Sequence, residues 1–553
     1  MSGVLVTYGG FAINSDKTFS VDAEHKESFV KEQTLLDRNL TYKNIGNPCE
    51  LYSVVLDGSV SAFPENPETE NLGYWSNILS DDDGFFKSPI VIDFVGTEKI
   101  SSAGITVAFD SQKGIFPTDV TISWFDGSVL LATEDFNVNS AKYLFLKRVE
   151  LYDRVEMHFK RLNMPQNRLK IQSVAFGLIA SSDTDILLKN TRISRAVSPI
   201  STEIPINTFN FSFTSKDNID YAFQERQPVD VLFNENLQGQ FFVKSARRLS
   251  KTTYDVNCED FFGILNSVDF EGGIYEEKNA SELIEEIFSV AQIPFSISSE
   301  IESETVTGHI PYTTCREALK QVLFAIQAVA DTSNSTSVKI YKIKNESTQE
   351  IPLERLMQGL KISTEARISA VEVTAHTYTP TENVQKVFDA KQNETGKNIF
   401  VKFSVPLHSL SITNGEILRS GANFAVINAN SRCTLSGKTY EHLQSVKVMR
   451  NNALLSTDTE NVRSISNATL VTPKNLDRIL KKCYNYLVKT KTINAKIVES
   501  KHETKNGFIY DLSVKISDTI SVNTDYEGIQ KGLVEKQTYN LNGGILVKEV
   551  TMK

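Results

Sequence analysis

A stretch near the middle of the chain places apolar residues at the spacing of an α-helix. Thr314 and Glu317 stand three residues apart as a capping box, in which each side chain bonds a backbone N–H of the first helical turn. This predicts a helix from Cys315 with one buried stripe. The stripe consists of Cys315, Ala318, Leu319, Val322, Leu323, Ile326 and Val329. A polar break at 331–337 and a short apolar run at 338–343 follow, so the segment is predicted to be helix, turn and strand.

Two further helices are predicted from similar signals. Asn279 and Glu282 mark the start of one, and Pro294 ends it. Its buried face consists of Leu283, Ile284, Ile287, Phe288 and Ala291. Thr472 and Pro473 have the residue types that favour the cap and the first turn of another helix. Its buried stripe consists of Leu476, Ile479, Leu480, Cys483 and Leu487.

The chain from residue 51 to 180 consists of short β-branched and aromatic runs separated by turn residues, a pattern typical of strands. The runs lie at 90–94, 105–109, 120–125, 143–146, 155–159 and 169–176. Asp126 and Gly127 form a dipeptide that favours a tight hairpin. We therefore predict a β-sandwich at 51–180, with a polar linker at 180–185. Residues 1–50 carry little periodic signal and are treated as an N-terminal extension for which no structure is predicted.

Strand-length runs return after the linker. Phe209, Phe211 and Phe213 alternate with polar residues in a run at 204–213, so one face of that strand is expected to be buried. Further runs lie at 229–233, 240–244, 253–258, 368–378, 400–405, 510–516, 519–522 and 533–541. The predicted fold is mainly β, with a small antiparallel barrel at 181–272, an α/β domain with two helices at 273–360 and a second barrel with one inserted helix at 361–553.

Length, charge and hydropathy narrow the classes of function. A chain of 553 residues fits three or four domains, and its net charge of −10 argues against sequence-specific nucleic-acid binding. The sequence has neither a long apolar run nor a signal-peptide pattern. We therefore predict that the protein is synthesised in the cytoplasm and does not insert into a membrane. The five cysteines are scattered and odd in number, which predicts reduced, mostly buried thiols.

Motifs for catalysis or metal binding are nearly missing from the sequence. The seven histidines are isolated along the chain and none forms an HExxH motif, so no metal, cofactor or enzyme activity is predicted. Ser436-Gly437-Lys438-Thr439 resembles the end of a phosphate-binding loop but lacks the earlier glycine, because Arg432 stands there. Carboxylates that pair only in space, as in glycosidases, remain open at this stage.

The first β region resembles a known sandwich. Its runs GYWSNILSDDDGFFKSPIVIDF (73–94), SSAGITVAFD (101–110), VTISWFDG (120–127) and RLKIQSVAFG (168–177) are similar to those of discoidin-type, galactose-binding-like jelly rolls. That resemblance implies a jelly roll whose loops at one end bind sugars. It covers about 125 residues of the chain.

The aromatic and acidic loop at 74–86 is the candidate ligand site. Tyr74 and Trp75 provide rings, and Trp75 is a candidate to stack on a sugar. Asp81, Asp82 and Asp83 are candidates to accept sugar hydroxyls or to coordinate Ca²⁺. The favoured alternative is that Trp75 fills the floor of the sandwich and the aspartates cap a surface turn. Trp124, in a strand-like run, is expected to lie in the core.

Four runs in the remainder of the chain carry a second resemblance. They are PINTFNFSF (205–213), QGQFFVKSARRLSKTTYDVNCEDFFGILN (238–266), FEGGIYEEKNASELIEEIF (270–288) and the helix–turn–strand segment at 308–343. Together they resemble the central hub protein of phage tails, as found in Firmicute phages and in phage-tail-like bacteriocins. The resemblance spans residues 183–553, about two thirds of the chain.

The hub resemblance implies a structural role at the baseplate or tail tip of a virion or tail-like particle, including contractile injection systems. It implies a homotrimeric ring in which two barrels per copy give a pseudo-sixfold surface that matches the hexameric tail tube protein. A spike or tip protein would bind the other face. Other baseplate proteins and the tape-measure protein are further expected partners. The family often carries a lytic domain after the hub, and we expect none here because the chain ends at Lys553, beyond the second barrel.

The alternative function belongs to another class of protein. In it, the chain is a glycan-binding adhesin or a cell-wall-degrading tail protein that acts through the N-terminal sandwich.

Overall fold

The computed structural model is mainly β with few helices, as the sequence predicted. It describes residues 4–9, 19–36, 50, 72–110, 114–181, 186–215, 226–233, 236–344, 348–357, 360–389, 397–454, 459–498, 500–504, 507–511, 514–524, 527–541 and 547–553.

The N-terminal β region encloses one continuous apolar core. Its strands are β1 (Val4–Gly9), β2 (Phe19–Ala23), β3 (Tyr74–Trp75), β4 (Phe85–Phe109), β5 (Pro117–Asp126), β6 (Val129–Asn137), β7 (Lys142–Leu162) and β8 (Lys170–Ser181). The long strands β4 and β7 pair with each other, β5 pairs with β6 and β7, and β8 pairs with β4. Trp124 is fully buried, which confirms its expected place in the core. Phe19 and Val21, within the segment treated as an extension, also belong to this core through the β2–β4 pairing.

The next five strands form an antiparallel unit in the order β9, β10, β13, β12, β11. They are β9 (Ile186–Ala196), β10 (Thr208–Ser215), β11 (Pro228–Phe233), β12 (Asn236–Arg248) and β13 (Thr253–Glu259). Phe209, Phe211 and Phe213 are buried, which confirms the predicted inward face. Strand β1 pairs with both β8 and β11, so the first strand of the chain links this unit to the N-terminal β region. The predicted linker at 180–185 overlaps the end of β8, and its residues 182–185 lie outside the described part.

The middle of the chain mixes helices with short strands. Its elements are α1 (Phe261–Leu265), β14 (Asp269–Phe270), β15 (Gly273–Asn279), α2 (Ala280–Ala291), β16 (Phe295–Ile297), β17 (Thr305–Ile310), β18 (Thr313–Thr314), α3 (Cys315–Ile326), β19 (Val329–Asp331) and β20 (Val338–Tyr341). Asn279 caps α2 and Thr314 caps α3 through their side-chain oxygens, as predicted. The predicted helical stripe is wrong at its last residue, Val329, because α3 ends at Ile326. Gln327 ends α3 in the left-handed conformation, so Val329 begins β19 instead, although it remains buried.

The last part of the chain contains the longest described strand, β26 (Phe424–Arg450). Its elements are β21 (Thr348–Ile351), β22 (Lys361–Thr364), β23 (Ala370–Asp389), β24 (Lys397–Lys402), β25 (Leu407–Ser420), β26 (Phe424–Arg450), β27 (Val462–Ile465), α4 (Leu476–Leu487), β28 (Lys491–Val498), β29 (Ser500–Thr504), β30 (Gly507–Asp511), β31 (Thr519–Thr524), β32 (Gly528–Asn540) and β33 (Val547–Met552). Strand β26 pairs with β23, β24 and β25, and the β23–β26 ladder packs against α4.

Two predictions in this last part were wrong in detail. Helix α4 begins at Leu476 rather than at Thr472, because the Asn475 side chain accepts the Thr472 backbone N–H at 2.8 Å and holds a turn before the helix. Residues 514–516 are not strand. The Val514 carbonyl oxygen instead accepts the side chains of Gln537 and Lys548, at 3.1 Å and 2.8 Å.

The two small β units on either side of the helices are joined edge to edge. Strands β31, β32, β33 and β28 pair in that order around one apolar core. The segment from β21 to Leu356 pairs with β31 at one end and bridges Ile497 of β28 at the other, which brings the two ends of this unit together. Strand β32 then pairs with β9 of the earlier unit. Strands β9 and β33 therefore belong to one continuous sheet.

Candidate functional site

The two aromatic residues of the predicted glycan loop are buried. Trp75 is 2% exposed, and its ring meets the Phe29 ring edge-on at 5.6 Å. The Tyr74 hydroxyl donates to the Glu24 carbonyl oxygen at 2.6 Å, and burial raises the pKa of this hydroxyl. Both rings are buried in this structure, and sugar binding by Tyr74 and stacking on Trp75 stay predictions. The alternative, in which Trp75 fills the core, fits this geometry.

A buried group of charges lies against Trp75, and sequence reasoning missed it. The Lys170 ammonium lies 4.2 Å from the centre of the Trp75 ring, forms an ion pair with Glu50 and lies 4.0 Å from an Asp110 carboxylate oxygen. The Arg168 Nε lies 3.3 Å from the other Glu50 oxygen. Charges are tolerated in a core when they are paired in this way. No motif indicated the group, because Glu50 and Lys170 stand 120 positions apart.

The three aspartates form an exposed turn. An Asp81 carboxylate oxygen accepts the backbone N–H of Asp83 at 3.0 Å and that of Phe85 at 2.7 Å. The Asp82 carboxylate accepts the side-chain amide of Gln166 at 2.5 Å. Asp81 and Asp82 thus hold the turn, as the alternative interpretation has it, and sugar binding by Asp81, Asp82 and Asp83 stays a prediction. Within the described ranges, no three His, Cys, Asp or Glu side chains lie close enough to hold a metal ion.

Three of the histidines are not isolated in space, which corrects the sequence interpretation. His376 Nδ1 lies 2.9 Å from His442 Nε2, and the Tyr378 ring stacks on His442 at 4.4 Å with an interplanar angle of 4°. His376 Nε2 lies 2.9 Å from the Ser466 carbonyl oxygen, so Nε2 carries the proton and Nδ1 accepts one from His442. Burial, and then the nearby His442, lower the pKa of His376. His376 is therefore held as a neutral imidazole.

The third histidine connects this cluster to the mixed middle region. The His309 ring on β17 lies 5.3 Å from the Tyr378 ring, and its Nε2 donates to Asn423 Oδ1 at 2.7 Å. The Asn423 amide donates in turn to the carbonyl oxygens of Glu271 and Ile310, both at 2.8 Å. Asn423, which is 3% exposed, therefore uses its whole side chain to hold the β23–β26 ladder against the α/β elements.

A buried arginine marks the seam between β9 and β32. The Arg195 guanidinium donates to Asn334 Oδ1 at 3.0 Å and to the Gln238 carbonyl oxygen, and it lies 5.6 Å from the Tyr539 ring centre. The Tyr539 hydroxyl donates to Gln238 Oε1 at 3.1 Å. These bonds join the two small β units and the middle region at one point. The arrangement positions these elements, and the same four residues line a cavity of about 540 Å³.

The remaining chemical candidates are structural. The cysteines within the described part are buried thiols, which confirms the sequence prediction for Cys258, Cys315, Cys433 and Cys483. Cys49 lies outside the described residues. Burial raises the pKa of Cys315 to about 11 and that of Cys483 to about 12, so neither is a ready thiolate. Residues 436–439 lie inside β26 rather than in a loop, which agrees with rejecting a phosphate-binding loop.

Comparisons with known proteins give likenesses of structure only. No family model and no curated protein sequence matches the chain. The fold is similar to a tail protein from Neisseria meningitidis (TM-score 0.43, 10% identity, 67% of this chain and 96% of that one). It is also similar to a prophage MuSo2 43 kDa tail protein from Shewanella oneidensis (TM-score 0.39, 10% identity, 67% of this chain and 98% of that one). A third similar structure is a type VI secretion system component from E. coli (TM-score 0.34, 10% identity, 66% of this chain and 73% of that one). In the described ranges, every helix is too short or too polar to span a membrane.

Proposed function

We propose that the protein is a structural hub at the tail tip or baseplate of a phage tail or tail-like particle. Three copies form a ring around a channel, one face of which contacts the hexameric tube while the other holds a spike or tip protein. Other baseplate proteins and the tape-measure protein contact the same assembly. The N-terminal β region is an outward addition to this ring.

The observation that carries this proposal is the pairing of β9 with β32. Arg192–Ala196 lie opposite Lys536–Asn540, so hydrogen bonds join the two small β units of one chain side by side. A pair of similar units, repeated three times by a threefold axis, gives six similar surfaces. Six similar surfaces match the six subunits of a hexameric tube, whereas one unit per chain would give only three. The sequence resemblance at 183–553 points to the same arrangement.

The mass of the purified protein and a cryo-EM map of the assembled tip test this proposal. The expected result is three copies in a closed ring, with both small β units of each copy facing the tube. Six copies, or a protein that remains monomeric within the particle, would contradict it.

A further inference from the structure

A groove of about 480 Å³ beside α4 concentrates positive charge in a chain whose net charge is −10. Its charged lining residues are Arg478, Lys481, Lys482, Lys489 and Lys553. Among the residues that the structure describes, no carboxylate lines it. Its floor is apolar and includes Ile343, Tyr486 and Leu533. We call this feature the basic groove.

The cations of the basic groove are only partly neutralised by their own chain. Arg478 lies 3.3 Å from Glu304, and Lys553 lies 3.2 Å from Glu365. Glu535 bonds the Tyr486 hydroxyl, and burial raises the pKa of its carboxyl. Glu203 also lies near the Tyr486 ring, so four carboxylates border five cations.

The remaining lysines of the basic groove form no close ion pair with a described carboxylate, and Lys489 interacts with Glu535 only at longer range. Lys482 donates to the Gln327 carbonyl oxygen at 2.8 Å, and burial, together with Arg478 and Lys342, lowers its pKa to about 8. Lys481 and Lys489 are exposed, and in the described part of the chain no carboxylate oxygen lies within 4 Å of either ammonium. A carboxylate from outside would stabilise the charged form of these lysines.

The same chain carries a surface of opposite charge on α2, which we call the acidic face. It consists of Asp269, Glu271, Glu282, Glu285 and Glu286 around a depression of about 770 Å³. Two cations border it: Lys278 lies 2.9 Å from Glu282 and 3.0 Å from Glu286, and Arg419 lies 2.6 Å from Glu271. Glu285 is exposed, with no cation within 4 Å in the described ranges. The acidic face thus keeps a surplus of negative charge.

We infer that the acidic face of one copy docks into the basic groove of the next, and that this contact closes the ring. The inference rests on the proposed hub function and names the surfaces that would build it. Two different patches of one chain make a head-to-tail contact, which closes into a ring when the rotation between copies allows it. Charge complementarity favours this pairing and opposes contacts between like patches.

The apolar parts of the two surfaces fit the same arrangement. Val290 lies at the end of α2, borders the acidic face and is 52% exposed. Ile343 and Leu533 form partly exposed floor in the basic groove. An exposed valine surrounded by carboxylates matches an apolar floor surrounded by lysines, so the contact would bury apolar area inside a charged rim.

Charge reversal of each surface tests the inference, with the full chain and its mass in solution as the readout. We expect Lys481→Glu with Lys489→Glu to raise the concentration needed for ring formation by more than about tenfold, because like charges would then face each other. Glu282→Lys with Glu285→Lys should have the same effect. The chain with all four changes should form rings again. Lys87→Glu with Lys251→Glu is the control, since it changes the net charge equally at exposed lysines outside the groove.

The possible results separate this inference from the proposed function. Wild-type trimers that both reversals leave intact would overturn the docking of these two surfaces while the hub proposal stands. A wild-type chain that stays monomeric at all concentrations would overturn both. Loss of the ring in each reversal without recovery in the fourfold variant would show that the two surfaces do not contact each other. Equal melting temperatures of all variants exclude misfolding as the cause.

Discussion

The N-terminal β region and the remainder of the chain, from β9 onward, are stabilised in different ways. The first has one continuous apolar core, and its charged group at Lys170 is enclosed within the region. The described apolar residues of the remainder are divided among several smaller cores. Buried polar side chains join these small cores. A core substitution should therefore disrupt a whole unit, whereas a seam substitution should loosen one contact between units.

The seam residues share one property. Each donates at least one side-chain hydrogen bond to a backbone carbonyl oxygen of another element. Gln321 on α3 donates to the Asn467 carbonyl oxygen at 2.9 Å and accepts the Thr469 N–H at 3.0 Å. Asn423 and Arg195 do the same at the other seams. Such bonds fix the position of one unit on the next with little apolar area.

The largest effect is expected for Leu323→Asp in the core of the mixed region. Leu323 is fully buried in the stripe of α3, so the carboxylate must be desolvated or the helix displaced. Either costs on the order of 5 kcal/mol, which is comparable to the whole stability of a domain. We expect no soluble folded protein and no assembled particle, as measured by circular dichroism and particle yield.

Leu323→Met is the matched control, because it keeps the site apolar and should cost less than about 1.5 kcal/mol. Normal particles from Leu323→Asp would show that α3 is not packed as described.

Trp75→Ala should destabilise the N-terminal β region by about 3–5 kcal/mol, since a buried ring is lost and the Lys170 charge group is opened to water. Thermal unfolding measures the effect. The control is Phe85→Ala, which removes a largely exposed ring from the same region and should cost less than about 1 kcal/mol. A Trp75→Ala protein with an unchanged melting temperature and lost glycan binding would restore the sugar-site interpretation.

Periodicity in the sequence predicted the units and their inner faces but not what joins them. The stripes of α2 and α3 and the alternation of Phe209, Phe211 and Phe213 are local signals, so they were sufficient to predict buried faces. Burial of a polar residue depends on partners far along the chain. His376 and His442 stand 66 positions apart, and Asn423 stands 113 from Ile310. The sequence around each of these residues therefore contains no local signal that predicts its partner.

The β9–β32 pairing and the two charged surfaces were missed for a related reason. Thr538 in β32 and Ser194 in β9 are 344 positions apart, so no hairpin or crossover signal announces that these edges meet. The lysines of α4 are visible in sequence as the polar face of an amphipathic helix, where solvation is the usual explanation. Only the fold adds Lys553 to them and leaves no carboxylate among the described lining residues of the groove.

Asn423→Ala should have an intermediate effect that stays local to one seam. It leaves the Glu271 and Ile310 carbonyl oxygens and the His309 Nε2 without their partner, at a cost of about 1–3 kcal/mol. We expect faster amide exchange in β15 and β17 and a small change in global melting temperature. Asn428→Ala, in the strand that begins directly after Asn423, removes a single exposed bond; it is the control and should change stability by less than about 0.5 kcal/mol. Unchanged exchange in β15 and β17 would mean that the apolar contacts alone hold the seam.

The smallest predicted effect is a pH dependence of the same seam. Burial lowers the folded-state pKa of His376 and His309 below the ordinary value of about 6.5, because both rings are bonded as neutral imidazoles. Their contribution to stability is complete above that value and is lost as pH falls below it, since the unfolded chain then binds protons that the folded chain does not. Urea unfolding should therefore show lower stability at pH 5.5 than at pH 7.5, and His376→Gln should reduce that difference. His408→Gln, at an exposed histidine of the same sheet, is the control and should leave the difference unchanged. If wild type and His376→Gln show the same pH dependence, other groups cause the loss of stability at low pH, and protonation of His376 does not contribute to it.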